Sequence, residues 1–262
     1  VDAALLEHAE DLSDSASPDD HREFVDLAIT PSGMGYWRVD SEGEIEAQGD
    51  AVFHGQPVEV TSPVQGIVST EDGAGYWVYT SGGRVYGFGS ADHHNDAVSL
   101  ETESSITHLA ASADGGGYWL LGADGVVYAF GSVNSYGSVE DLAIDDLAMV
   151  LVPTATGHGY WVGTLRGRII AFGDADAIDT LVETPALTDM ALIPGTEELV
   201  VLGGEGSLQG LSGSTDLSGW NDLNDAISVD ITPTGEGVLV LAASGQLRSH
   251  GDAPEAEEEP AP

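Results

Sequence analysis

The sequence predicts an all-β fold, a six-bladed β-propeller or propeller-like repeat array. Three observations carry this. Gly-Tyr-Trp occurs four times, and its tyrosines Tyr36, Tyr76, Tyr118 and Tyr160 are 40, 42 and 42 residues apart. A fixed period near about forty residues marks propellers and related arrays. Each copy is followed by a glycine-containing turn and a further run of β-formers. The period then outlives the motif: Leu199-Val200 and Val238-Leu239 replace Tyr-Trp, each a further 39 residues along.

Taken in chain order, residues 1–23 form a leader or linker. Ala3-Ala4-Leu5-Leu6-Glu7-His8-Ala9-Glu10 has a short helical pattern, and a polar stretch follows. The repeats occupy residues 24–253. The third unit is the clearest. Ile106–Ser112 alternates and reads as an inner strand, Ala113–Gly116 as a turn, and Gly117–Leu121 as a second strand rich in β-formers. Asp124-Gly125 signals a tight hairpin. Val126–Phe130 is a third strand, and a short fourth is expected near Tyr136-Gly137-Ser138, which would complete a four-stranded blade. Units one, two and four repeat these signals. Units five and six keep the turns at Glu205-Gly206 and Ser244-Gly245. Because Leu, Val and Tyr-Trp share only apolar character, the column Tyr36, Trp37, Tyr76, Trp77, Tyr118, Trp119, Tyr160 and Trp161 is expected to be structural core. Residues 254–262 are acidic and proline-rich, the composition of a disordered spacer. The sixth unit therefore lacks residues for a fourth strand, and an unpaired strand edge invites pairing.

Composition bounds the function. The chain has 262 residues, 45 acids against six arginines, and a formal charge of −39. It contains no lysine and no cysteine. Nucleic acids and anionic membranes both select a cationic face, so neither is an expected partner. No run of apolar residues is long enough to insert in a membrane. A shell this acidic repels itself in dilute buffer and is screened in brine, which points to a high-salt habitat. Without cysteine there is no disulfide and no thiolate site.

Gly117-Tyr118-Trp119-Leu120-Leu121-Gly122-Ala123-Asp124-Gly125-Val126-Val127-Tyr128-Ala129-Phe130-Gly131-Ser132 resembles the GYW-type repeat of secreted and cell-wall-associated actinobacterial proteins. The likeness covers most of residues 24–253, strongly in units one to four and weakly in five and six. It implies a propeller-like module outside the cytoplasm. It implies no single activity and carries no catalytic residues. Ser112-Ala113-Asp114-Gly115-Gly116-Gly117-Tyr118-Trp119 also approaches the Asp box of sialidases, itself a structural turn, but the six arginines are scattered along the chain and form no carboxylate clamp in sequence.

Few residues suggest chemistry. His93-His94 fill a column that also holds Phe53-His54 and Ser135-Tyr136, and adjacent strand residues face opposite ways, so they read as scaffold. Asp174, Asp176 and Asp179 are weak candidates for a surface cation, lacking the spacing of a calcium loop. Trp220, outside the repeat column, is a weak candidate for stacking on a sugar or anchoring a partner. No catalytic residue and no cofactor emerge. The preferred expectation is a non-enzymatic, extracellular or cell-surface scaffold that binds a glycan or a surface protein. Two alternatives stand beside it. One is self-assembly into a filament or surface layer through the incomplete last blade. The other is a glycan hydrolase or lyase with carboxylates at the propeller channel.

Overall fold

The computed structural model describes residues 22–100, 102, 104–178, 182, 186–211 and 223–255. Among them are six three-stranded antiparallel sheets, each a meander in chain order. Blade one holds β1 (Phe24–Ile29), β2 (Tyr36–Asp40) and β3 (Ile45–Gln48). Blade two holds β4 (Val64–Ser69), β5 (Gly75–Thr80) and β6 (Val85–Gly89). Blade three holds β7 (Ile106–Ala111), β8 (Gly117–Gly122) and β9 (Val127–Gly131). Blade four holds β10 (Ala148–Pro153), β11 (Gly159–Thr164) and β12 (Ile169–Gly173). Blade five holds β13 (Leu187–Leu192), β14 (Leu199–Gly203) and β15 (Leu208–Gly210), and blade six β16 (Ala226–Ile231), β17 (Val238–Ala242) and β18 (Leu247–His250).

The first strand of each blade lines the axis. β1 packs against β4 on one side and β16 on the other, and the same neighbour relation runs β4, β7, β10, β13, β16. The blades thus form a ring. One backbone hydrogen bond recurs at the seams: the N–H opening an inner strand donates to the second hairpin of the blade before. Val64 donates to Ser41, Ile106 to Ser81, Ala148 to Ala123 and Leu187 to Leu165. Phe24 donates to Ala243, so the seam between the last blade and the first is built like the others. Phe24, Leu27, Ile29, Tyr36, Leu239 and Leu241 bury one apolar cluster across it. Arg22 and Arg38 both stack over the Phe24 ring, at 5.4 and 4.3 Å, and Arg38 Nη1 donates to Gly245 O at 2.9 Å. Two of the six arginines are therefore gathered at ring closure.

The Tyr-Trp column does two jobs. All four tryptophans and tyrosines are buried between blades. Each indole N–H also donates to the carbonyl fifteen residues on: Trp37 to Val52, Trp77 to Asp92, Trp119 to Asn134 and Trp161 to Asp176. Three of the tyrosine hydroxyls reach the exit loop of the preceding blade: Tyr76 to Gly55 O, Tyr118 to Asn95 O and Tyr160 to Gly137 O. An exit loop is thus held by the tryptophan of the blade it leaves and the tyrosine of the blade it enters. Burying these rings supplies area, and the polar tips find partners, as buried Tyr and Trp require.

The expectation of four strands per blade fails. Tyr136, Gly137 and Ser138 form no strand. The N–H groups of Tyr136 and Gly137 donate to the Tyr160 hydroxyl oxygen, which donates back to Gly137 O, so these groups are withdrawn from a ladder. Ser138 Oγ accepts the Val127 N–H at the start of β9. Among the described residues every blade has three strands, so the sixth blade is as complete as its neighbours, and the premise of a uniquely unfinished edge falls. Residues 1–21 and 256–262, which hold the leader and most of the acidic tail, lie outside the described residues.

The second hairpin of each blade shows why glycine recurs. Gly125 has φ +87°, and a Cβ there would meet the Val139 side chain at 2.8 Å. The turn needs a left-handed residue, and the exit loop packs onto the space that a side chain would take.

Candidate functional site

The third residues of the six inner strands are Asp26, Gly66, His108, Val150, Asp189 and Ser228. These equivalent positions differ in chemical type from blade to blade. All six inner strands bulge at this point, where the register to the second strand shifts by one. The bulge turns the side chain inward.

The aspartates fasten one inner strand to the next. Asp26 accepts the Leu27 N–H and the Ser228 hydroxyl at Oδ1, at 2.8 and 2.7 Å, and the Ile67 N–H of blade two at Oδ2, at 2.9 Å. Asp189 accepts the Met190 N–H at Oδ1 and the Val229 N–H of blade six at Oδ2, both at 2.8 Å. Asp230, two residues past Ser228 on β16, accepts Ile231 N–H at Oδ1 and Ile29 N–H of blade one at Oδ2, at 2.9 and 2.8 Å. Inner strands have one free edge, and its N–H groups face the channel. A carboxylate from the neighbouring blade caps them.

In blade two the same task falls to another strand. Gly66 has no side chain, and a Cβ there would collide with the Tyr79 hydroxyl and the Asp26 carboxylate. Tyr79, on β5 and 2% exposed, fills the vacancy, with the Leu109 N–H directed at its oxygen. Its own proton reaches only Thr107 O, at 3.5 Å. The His108 ring stands edge-on to Tyr79, with centroids 6.4 Å apart, and its buried Nδ1 has no hydrogen-bond partner.

Titration follows from this setting. Burial pushes the Asp26 carboxyl up to about 7, against the pull of Ser228, Ile67 and Leu27. Burial lifts Asp230 to about 6, and lifts Asp189 well above the usual range with help from the Asp26 charge. The side chains keep a partial opening to solvent along the axis. Burial lowers His108 to about 4, so its ring is neutral at physiological pH. Raised carboxyls around one channel are a recognised mark of functional sites, though structural networks produce them too.

The other candidate residues fall elsewhere. Asp174 belongs to a lock that recurs in five of the blades, accepting from Thr154 and Thr156 Oγ1 at 2.9 and 2.5 Å. Blade one uses Thr30, Ser32 and Asp50, and blade six Thr232, Thr234 and Asp252. Blades two and three permute the set: Asp72 accepts from Thr70 and Ser90, and Asp114 from Ser112. The Asp-box likeness of Ser112–Trp119 is this lock. Asp176 is exposed, and its backbone carbonyl receives the Trp161 indole. Asp179 and Trp220 lie outside the described residues. His94 stacks on Tyr118 at 5.6 Å and its Nε2 meets Gly115 O at 2.9 Å, the place Tyr136 takes over Tyr160. Among the described residues, no three His, Asp or Glu side chains converge to hold a metal ion, and no helix is long and apolar enough to cross a membrane.

The channel residues Asp26, Tyr79, His108, Asp189 and Asp230 were not among the sequence candidates. A signal was present at Asp26, which interrupts an otherwise apolar inner strand, Phe24-Val25-Asp26-Leu27-Ala28-Ile29. The chain matches no protein-family model and no curated protein.

Proposed function

We propose that this chain is a non-enzymatic interaction scaffold that works outside the cell in high salt and binds a glycan or a surface protein. The observation that carries this reading is the use made of the channel carboxylates. Both oxygens of Asp26, Asp189 and Asp230 accept backbone N–H groups, and each aspartate bridges two blades. A general acid or nucleophile needs an oxygen presented to substrate; these oxygens are turned into the wall. The charge of −39 supports the high-salt setting, because screening relieves a self-repelling shell. The GYW-type resemblance supports a secreted or wall-associated place. Binding to a glycan array in molar salt, with no change in the reducing ends of soluble glycans, is the expected result. Turnover of any glycan that is lost in Asp26→Asn would replace this reading with an enzymatic one.

One observation favours the hydrolase alternative. Asp26 keeps its proton close to neutral pH, as a glycosidic general acid must. The same assay decides between the two.

A further inference from the structure

Blade one differs from its neighbours in what it shows to solvent at the lock end. Met34, Val52 and Phe53 are 66, 56 and 52% exposed. Met34 stands where the other blades have Ala74, Gly116, His158, Glu197 and Glu236. Val52-Phe53 stands where blades two to four have Asp92-His93, Asn134-Ser135 and Asp176-Ala177. The repeat therefore requires no large apolar side chain at these places. The three positions also adjoin and are held. A Cβ on Gly49 would collide with the Met34 carbonyl, so the first hairpin lies against the start of the exit loop. The Met34 N–H donates to Ser32 Oγ at 3.0 Å, the Val52 carbonyl accepts the Trp37 indole N–H at 2.9 Å, and the His54 N–H donates to the Tyr76 hydroxyl oxygen at 3.0 Å. A backbone fixed beforehand has little ordering left to lose when a partner covers it. Adjoining exposed apolar side chains with polar surroundings mark interaction surfaces.

We infer that this surface of blade one docks a protein segment that carries an apolar anchor flanked by lysine or arginine. Methionine and aromatic residues are enriched at protein interfaces. A sugar site needs convergent hydrogen-bonding groups beside the ring, and the Met34 and Val52 side chains present none. The surroundings choose the sign of the partner. Gly73 lies by Pro31, which brings the exposed Glu71-Asp72 of blade two alongside, and Gly33 lies by Pro233, which brings the exposed Glu236 of blade six. None of the six arginines stands in the loops at the lock end. An acidic rim favours a cationic partner and repels a second copy of the same face. The inference rests on the proposed interaction role and narrows it to a protein partner at a stated place.

The probe is a fluorescein-labelled synthetic peptide in which phenylalanine and leucine alternate with lysine. One control peptide replaces the apolar residues by serine, and another replaces lysine by glutamate. Fluorescence anisotropy is read in 0.15 M and 2 M NaCl. The parent peptide should bind wild type about tenfold or more tightly than either control at the lower salt. At the higher salt, where charge is screened, it should still bind while the serine control does not. Met34→Ala/Val52→Asp/Phe53→His gives blade one the residues of blade two and should keep the wild-type Tm. It should weaken the parent peptide about tenfold or more. Equal binding by the variant and wild type, or by the parent and either control, overturns the inference. So does dimerisation of wild type in 2 M NaCl that the variant abolishes, because a second copy is then the occupant. If the variant does not fold, a parent peptide bearing benzoylphenylalanine serves on the wild type. Photo-cross-links to Met34, Val52 or Phe53 are expected, and cross-links confined to other residues contradict the site. Glycan-array binding without peptide binding would overturn this inference and leave the scaffold role standing; failure of both would overturn both.

Discussion

The Phe24 N–H donates to the Ala243 carbonyl at 3.0 Å, and this bond turns a row of blades into a ring. It sits where Val64 meets Ser41 and Ile106 meets Ser81, so closure repeats the ordinary seam. Among the described residues no strand is exchanged between the first blade and the last. The last blade joins the first through this bond, the Asp230 to Ile29 cap, the Arg38 to Gly245 contact and one apolar cluster.

The seam should be sensitive to Asp230. Asp230→Ala leaves the Ile29 N–H uncapped, and an unsatisfied buried donor costs about 1–3 kcal/mol. Asp230→Asn keeps an acceptor and should lose less. Urea unfolding in molar salt checks this; equal stability of the alanine variant and wild type contradicts the capping role.

Tyr160 holds the exit loop of blade three through three hydrogen bonds to Tyr136 and Gly137. Tyr160→Phe keeps the ring and removes all three. A loss of about 1–3 kcal/mol is expected. Trp119→Ala, which also removes a fully buried ring, should cost about 3–5 kcal/mol. A phenylalanine variant as stable as wild type would show that the loop is held by packing alone.

The lock offers a double-mutant test. Blade one places its carboxylate at Asp50 and a hydroxyl at Ser32; blade two places the carboxylate at Asp72 and the hydroxyl at Ser90. Each arrangement contains one carboxylate. Asp50→Ser should destabilise by losing the acceptor, and Ser32→Asp by setting two carboxylates together. The combined Ser32→Asp/Asp50→Ser recreates the blade-two pattern and should recover most of the loss. The expected coupling is about 0.5–3 kcal/mol in the stabilising sense. Simple additivity would contradict a shared lock.

Stability should fall as pH rises through the window set by the channel. Asp26 and Asp230 have folded-state values of about 7 and 6, above the roughly 3.9 of an unfolded chain. The folded state therefore binds more protons between about pH 4 and 7, and stability declines across that range and levels off above it. The lock works oppositely: hydrogen bonds from Thr70, Ala74 and Ser90 hold Asp72 at about 2, so its contribution is present above the unfolded value and fades as pH falls toward 2. Denaturant midpoints in 3 M salt, where shell repulsion is screened, should be higher at pH 5 than at pH 8. Asp26→Asn should flatten the difference. A midpoint that rises from pH 5 to pH 8 contradicts the buried-acid account.

Much of the fold was legible because repeats amplify weak local signals. Asp124-Gly125 alone is a modest hairpin signal; with Gly43, Gly83, Gly167, Gly206 and Gly245 at the same place it becomes a register. Leu199-Val200 could be aligned with Tyr36-Trp37 because burial asks only for apolar volume there. The third-strand limit was not legible, since Tyr136-Gly137-Ser138 has ordinary β composition and loses its ladder to a tyrosine hydroxyl contributed by the next blade. The channel was hidden for a related reason. Asp26 caps an amide in blade two and Asp189 one in blade six, and partners about forty residues distant leave no mark in local spacing. Tyr79 was harder still, because it enters the axis only through the missing side chain of Gly66.

The closed ring is tested most directly by amide hydrogen exchange at Phe24 and Ile29. Both N–H groups belong to the first strand and find their acceptors, Ala243 and Asp230, on the last blade. In a closed ring they should exchange as slowly as Val64 and Ile106, the same position at interior seams. Exchange of Phe24 and Ile29 at the rate of an unprotected chain, with Val64 and Ile106 still slow, would show an open array in place of a ring.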